Sequence, residues 1–556
     1  MTMIYKKRAL IVFFALVFVF AANAMPPHPK NTNPKGRERT ENITRMEEPL
    51  YKSMMRSSPA RAPALPREMN LLVILADFGS EIDEQLEAGV PLNFKNKNNY
   101  IIPSLLLIFL IIQILFKNRK RYILLNAYLL LILSCTESAS ITITTPGDPL
   151  HFKTPDIVNV FKNILGANDA KNPISLTMKK YWEDMSRGNL ILNFDIVGPV
   201  RVSKGWQYYG RNRQGFDSFP GQFVGEAVRL AYSEGYVTDF SKYANLKPGI
   251  VDTVIIVHAG QGEEIPGVSK DAIWSHSWTL NAARSNGDGN GAISLGEALI
   301  NRYTIQPEYN FTPGDAAIGV FCHEFAHVLG LPDLYDTSYE THGVGRWSLM
   351  SAGSWGSSGG LGEDPAPLLA WERDYIGGDD WVIIKPVTTT SITIEDIEAN
   401  SKTAYKIPLS PDESQYFLLE RKTSASGEGK KYVPADGILI THINKKIIAE
   451  YIGPNTINEG RNRVHGINIV EAAGTGAGGK GALWEANDEY SPTPNHTNMV
   501  FLTNEQINLP TAAGEDDNFP NSNYYINYLP PDNEVTKTGY SGKKITVTSE
   551  SSVSIE

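Results

Sequence analysis

His323-Glu-Phe-Ala-His327-Val-Leu-Gly330-Leu-Pro-Asp333 is the stretch from which the rest of the chain can be read. Residues four apart on an α-helix differ by about 40° in azimuth and rise about 6 Å, so His323 and His327 project from one face and can share one metal ion. Glu324 sits beside the first imidazole, where it can reach a water at the metal without taking a coordination position. Gly330 permits a tight or left-handed turn and Pro332 prevents the helix from continuing. The turn brings Asp333 back toward the two imidazoles. Two nitrogens and one oxygen leave a fourth position open for water, the donor set of a catalytic Zn2+ site as opposed to a closed structural one.

The flanking residues fit a helix through this motif. Thr312-Pro-Gly-Asp315 predicts its cap, and Ile318, Phe321, Phe325 and Leu329 predict its buried side. Cys322 reads as a core residue, since a reactive thiol needs exposure and a charged partner. Further on, Gly345-Arg-Trp-Ser-Leu-Met350-Ser-Ala-Gly-Ser-Trp355 places a methionine in a turn. Alone, Met350 would read as ordinary core. In this order after HExxHxxGxxD it matches the Met-turn that accompanies the metzincin signature.

The chain has 556 residues, too long for one small core, and its 42% hydrophobic content supplies enough apolar material for more than one folded unit. The net charge of -10 is spread along the chain with no clustered Lys and Arg, which argues against nucleic acid as a partner. Only Cys135 and Cys322 occur, so no disulfide framework is expected. Lys6, Lys7 and Arg8, the apolar run Ile11 to Phe20, and Ala22-Asn23-Ala24 read as a signal peptide over 1–24, which implies export. Residues 25–68, rich in Pro, Arg and Lys, read as a linker or prosegment.

Between 81 and 140 the composition shifts abruptly, with apolar runs at 101–116 and 122–135 that each fall short of a comfortable membrane span. Three readings compete for this insert: a membrane hairpin turning at Lys117 to Arg121, a displaced lipoprotein-type signal ending at Cys135, or translated sequence foreign to the mature protein. The third is preferred, because the flanks join into a plausible strand, loop and strand without it.

Elsewhere NLLVILADF closing on Asp77 predicts a buried strand, FVGEAVRLAYSEGY (223–236) a helix with Val224, Ala227, Val228 and Ala231 on one stripe, and VDTVIIVHAG (251–260) another strand. From about Asp379, SITI, YKIPL, QYFLLE, GILITHI, INIVEA, MVFL and KITVTS predict short strands between Gly, Pro and Asn turns. The expected fold class is α+β: a metzincin-like zinc protease catalytic domain over 69–378, carrying the insert, then a β-rich, sandwich-like domain over 379–556.

The blocks LVILADF, YWEDMSRGNLILNFDIVGPV, VIIVHAGQGEE, IWSHSWTL, GVFCHEFAHVLGLPDLYD, GRWSLMSAGSW, YFLLE and GILITHI together resemble the immune inhibitor A family of secreted metallopeptidases, a metzincin-like group. The resemblance runs through residues 69–556 apart from the insert. It implies zinc on His323, His327 and Asp333, catalysis by Glu324, a Met-turn at Met350, and protein substrates outside the cell. Rival readings are a catalytically silent extracellular binding protein on the same scaffold, and a membrane-tethered protease anchored through 101–134.

Some features stay outside this reading. Asn286, Asp288, Asn290 and Glu297, with Gly291, follow the spacing of a Ca2+ loop, although Asn replaces the usual Asp at its first position and a plain Gly-rich surface loop competes. Asn42, Asn310 and Asn495 open glycan-acceptor triplets. His258, His276 and His342 are not assigned as ligands. If the insert is foreign to the mature protein, an intact mass of natively produced protein will lack residues 81–140; peptides from 85–135 in that protein would overturn the reading.

Overall fold

A computed structural model of the chain describes residues 65–80 and 150–470 apart from short breaks, with strand segments at 23–24, 500–501, 506–508, 544–549 and 552–555. Its architecture mixes helices with sheets in an α+β arrangement. The central strand β1 (Glu68–Asp77) is buried along nearly its whole length. Parallel strands covered on both faces read as continuous apolar runs, and NLLVILAD does so. Met69, Leu71, Val73 and Leu75 face one core, while Leu72, Ile74 and Ala76 face another.

β1 lies between β2 (Ile191–Arg201) and β3 (Val254–His258), parallel to both, and β5 (Arg302–Pro307) continues the parallel set beyond β3. β4 (His276–Thr279) then pairs antiparallel with β5, and Asn23–Ala24 adds two residues outside it. Helix α1 (Ile157–Leu165) and α2 (Met178–Met185), the latter capped by Thr177, pack on the first core, where the helix α5 (Ile318–Val328) also lies. On the opposite face α3 (Pro220–Ser233) buries Phe223, Val224, Ala227, Val228 and Ala231, which includes the stripe its spacing predicts.

A second sheet follows in the order β6 (Ile383–Pro386), β7 (Thr403–Pro408), β8 (Gln415–Lys422), β9 (Gly437–Asn444) and β10 (Ile467–Val470), with Val500–Phe501 also pairing β9. Its inner residues Leu418, Leu439, Ile443, Ile467 and Ile469 share one hydrophobic core with Trp182, Phe325, Met350 and Trp381. Edge-on packing of Trp182 against Phe325, with ring centroids 5.4 Å apart, ties α2 to α5 inside that core.

One local expectation needs correction. Asp315 does not cap α5: its carboxylate accepts from the backbone N–H groups of Asn310, Phe311 and Thr312, closing the preceding turn, and α5 begins after Ala317 with no side-chain cap. Ile318, Phe321, Phe325 and Leu329 are buried as expected, and so is every other residue from Ile318 to Val328. A helix covered on all sides has no need of the narrow stripe that its four large apolar residues suggest.

The apolar runs at 101–116 and 122–135 lie outside the described residues, and among the described residues no helix is long and apolar enough to cross a membrane. Across the gap between 80 and 150 the flanks meet: Phe78 N–H donates to the Leu150 carbonyl at 3.2 Å, and Phe152 N–H to Asp77 Oδ1 at 2.9 Å.

His258 at the end of β3 and His442 in β9 are fully buried, and burial pushes each down to about 4. A histidine whose folded pKa is depressed keeps its neutral form while the unfolded chain takes up a proton. Stability is therefore fully present above pH 6.5 and declines as pH falls from 6.5 through 4, by roughly 3 kcal/mol for each residue. We predict that His442→Gln flattens this acid limb in denaturant titrations run with a chelator present. An unchanged slope would contradict the assignment.

Candidate metal centre

Helix α5 carries His323, Glu324 and His327 in fully buried positions. Gly319 lets its first turn approach the 352–355 segment, for a Cβ there would run into the Ser354 carbonyl oxygen. At the other end Gly330 adopts φ +103°, outside the range an L side chain favours, and the chain reverses there to present Asp333, which is 1% exposed.

The two imidazoles stand perpendicular, their centroids 4.8 Å apart. His323 Nδ1 lies 2.9 Å from the Leu349 carbonyl oxygen and His327 Nδ1 2.8 Å from that of Leu331. A carbonyl can only accept, so the proton of each neutral ring sits on Nδ1 and the Nε2 lone pair is left bare. Both bare nitrogens face Asp333 Oδ1, at 3.2 Å from His323 and 3.3 Å from His327. None of these three buried atoms has a hydrogen-bond partner.

Burial holds His327 below its ordinary value despite the attraction of Asp333. Burial alone would raise Asp333, but His327 and His323 in their protonated forms outweigh it and hold the carboxyl well below the usual range. Three converging lone pairs repel one another unless a cation lies among them, and this donor set fits a metal ion of the kind imidazole and carboxylate bind. Among the described residues, this is the one group of three His, Cys, Asp or Glu side chains placed to hold one.

Residues 159–382 match the family described as immune inhibitor A peptidase M6, catalytic domain. The chain is 31% identical over 284 residues to the pre-pro-metalloprotease PrtV of Vibrio cholerae serotype O1, across 46% of this chain and 28% of that protein. Immune inhibitor A of Bacillus thuringiensis subsp. alesti is 34% identical over 202 residues, across 32% of this chain and 28% of its own length. The chain thus spans 28% of the length of each of these relatives.

Within the matched segment the stretch around Met350 is wired to α5. Met350 is fully buried, its carbonyl accepts the Leu334 N–H at 2.7 Å, and the carbonyl of the preceding residue holds His323. Ser348 Oγ accepts the Met350 N–H at 2.9 Å and donates to Glu372 Oε1 at 2.6 Å. Glu372, on α6 (Ala370–Gly377), is pushed up to about 7 by burial, only partly offset by its bonds from Ser348 and the Leu369 N–H and by Lys422. Beyond it, Glu420 Oε1 accepts from Ala370 N–H and Glu420 pairs with buried Lys422, so a chain of polar contacts runs from β8 to the Met350 turn. Pattern reading missed this chain, because Glu372, Glu420 and Lys422 look like surface residues in sequence.

Other predicted residues have different surroundings. Asp288 accepts from the N–H groups of Gly221 and Gln222 with its two oxygens, so its carboxylate caps the first turn of α3. Burial pushes it up to about 6 despite those bonds. Glu297 is exposed in the turn between Ile293–Leu295 and Ala298–Ile300. Asn310 is buried and donates to the Leu361 carbonyl, which removes it as a glycan acceptor in the folded protein, while Asn42 and Asn495 lie outside the described residues. Cys322 is fully buried and burial pushes its thiol well up, as a core cysteine requires. His276 points Nδ1 at the Trp274 carbonyl, and His342 lies outside the described residues.

Removing the Ser348 hydroxyl strips a partner from both Glu372 and the Met350 N–H. We predict that Ser348→Ala lowers unfolding free energy by about 1–3 kcal/mol, read by chemical denaturation at pH 8. Wild-type stability would show that the contact is energetically idle.

Proposed function

We propose that this chain is a secreted zinc-dependent endopeptidase in which His323, His327 and Asp333 hold the metal, Glu324 is the general base and Met350 belongs to a Met-turn. The observation that carries the reading is the convergence of two bare Nε2 atoms with Asp333 Oδ1, all on buried side chains, the two histidines on the helix that also carries Glu324. Zn2+ bound there supplies Lewis acidity, lowering the pKa of water from about 15.7 to near 7. Glu324 accepts the proton of the attacking water and returns it to the leaving amine nitrogen. The Nδ1–H bonds to Leu349 and Leu331 keep both imidazoles in the tautomer that ligates through Nε2.

Protein substrates outside the cell follow from the M6 match, from the metalloprotease name of one relative and from the leader pattern at 1–24. Domain limits of 69–378 for a metzincin-like catalytic unit and 379–556 for a β-rich unit fit the change from parallel strands with helices to mostly antiparallel strands. The meeting of Phe78 with Leu150 supports an insert that can be removed without moving its flanks. The loop at 286–297 keeps its Ca2+ reading only through donors other than Asp288.

Glu324→Gln keeps the shape of the side chain and removes its basicity. We predict that it cuts casein hydrolysis by about 10²- to 10⁴-fold while zinc, measured by mass spectrometry, stays near one per chain as in the wild type. Wild-type turnover in the variant would refute the role of Glu324. Zinc without turnover in the wild type would favour a silent binding scaffold.

A further inference from the structure

We infer that Asn455, outside the M6 match, is a positioning residue for Asp333, and that through it the C-terminal part of the chain sets the affinity of the metal centre. The inference rests on the metal reading above and adds a residue to it. Asn455 is 2% exposed and lies in the turn after α7 (Lys445–Tyr451). Its amide bonds to Asp333 twice, in opposite senses. Asp333 N–H donates to Asn455 Oδ1 at 2.7 Å, and Asn455 Nδ2 donates to Asp333 Oδ2 at 2.5 Å.

The first bond fixes the orientation of the amide, because only its oxygen can accept from a backbone N–H. The NH2 group must then face the carboxylate. With Oδ2 engaged, Oδ1 is the oxygen left pointing at the two Nε2 atoms. Asn455 thereby decides which oxygen ligates and stops the carboxylate from rotating about its last bond.

The turn is built for this contact. Asn455 has φ +58°, a left-handed conformation that asparagine tolerates better than most side chains. Its neighbours run alongside the ligand loop: Asn458 Nδ2 donates to the Leu334 carbonyl at 2.9 Å, and Gly460 N–H to Asp336 Oδ1 at 2.9 Å. Asn458 also accepts from Ile467 N–H, which ties the turn to β10. Asn458 makes buried contacts of similar kind without touching the carboxylate, so it separates positioning from mere packing.

The test uses the full chain. Asn455→Gly removes both bonds and keeps the left-handed turn; Asn455→Ala removes them and keeps the Cβ, so the two changes threaten folding in different ways. Asn458→Ala is the matched control. Zn2+ affinity is measured by competition with a chromophoric chelator, the Co2+-loaded proteins are compared by visible absorption, and each metal-free protein is melted. We expect both Asn455 variants to bind Zn2+ about 10- to 100-fold more weakly, with shifted Co2+ bands. Asn458→Ala should melt lower yet hold Zn2+ as the wild type does. Wild-type affinity in a folded Asn455 variant would overturn the inference, as would an equal loss in Asn458→Ala. Failure of the wild type to bind Zn2+ through His323 and His327 would instead sink the metal reading, and that arm is read separately.

Discussion

Nε2 of His323, Nε2 of His327 and Oδ1 of Asp333 meet on three buried side chains with no hydrogen-bond donor placed among them, and the surrounding structure depends on that unfavourable convergence being held. Left free, such groups would turn toward solvent or toward hydrogen-bond donors, since a buried unpaired polar atom costs on the order of 1–3 kcal/mol. They are prevented from doing so by fixed acceptors behind the rings, the Leu349 and Leu331 carbonyls, and by a fixed donor behind the carboxylate, Asn455. The site is thus preorganised for a cation by backbone and amide groups that themselves carry no charge.

Those groups come from distant parts of the chain, which explains why α5 is buried on every side. Leu349 belongs to the turn supported by Ser348 and Glu372, and that support reaches Glu420 and Lys422 on the second sheet. Asn455 arrives by a second route, through the turn held by Asn458 against β10. Both routes cross the shared core in which Trp182, Phe325 and Trp381 pack with Leu418, Leu439 and Ile467. The second sheet is therefore coupled through that core to the candidate metal centre.

Sequence reading reached the parts with short-range signatures. The i, i+4 histidines, the reversal at Gly330 and the continuous apolar run of β1 each declare themselves within about ten residues, because helix and strand periodicity are local. The stripe on α3 was legible for the same reason. Asp288 was not, because a carboxylate that caps a helix and one that binds a cation present the same letter, and the helix it serves begins 68 residues earlier at Pro220. Asp315 misled in the opposite way, since its capping pattern is satisfied by the loop before the helix. Asn455 carries no signature: its meaning lies in a contact with a residue 122 positions away. Glu420 and Lys422 were invisible because buried ion pairs are rare enough that a charged residue in a strand reads as surface.

The central claim, that two imidazoles and one carboxylate of this chain hold zinc, is tested most directly by X-ray absorption at the zinc edge on the purified full-length protein. The account predicts a coordination sphere of nitrogen and oxygen only, with the outer-ring scattering of two imidazoles, and loss of part of that signal in His327→Ala. A sulfur neighbour, which only a cysteine or methionine could supply, or protein that emerges from gel filtration without zinc, would contradict it.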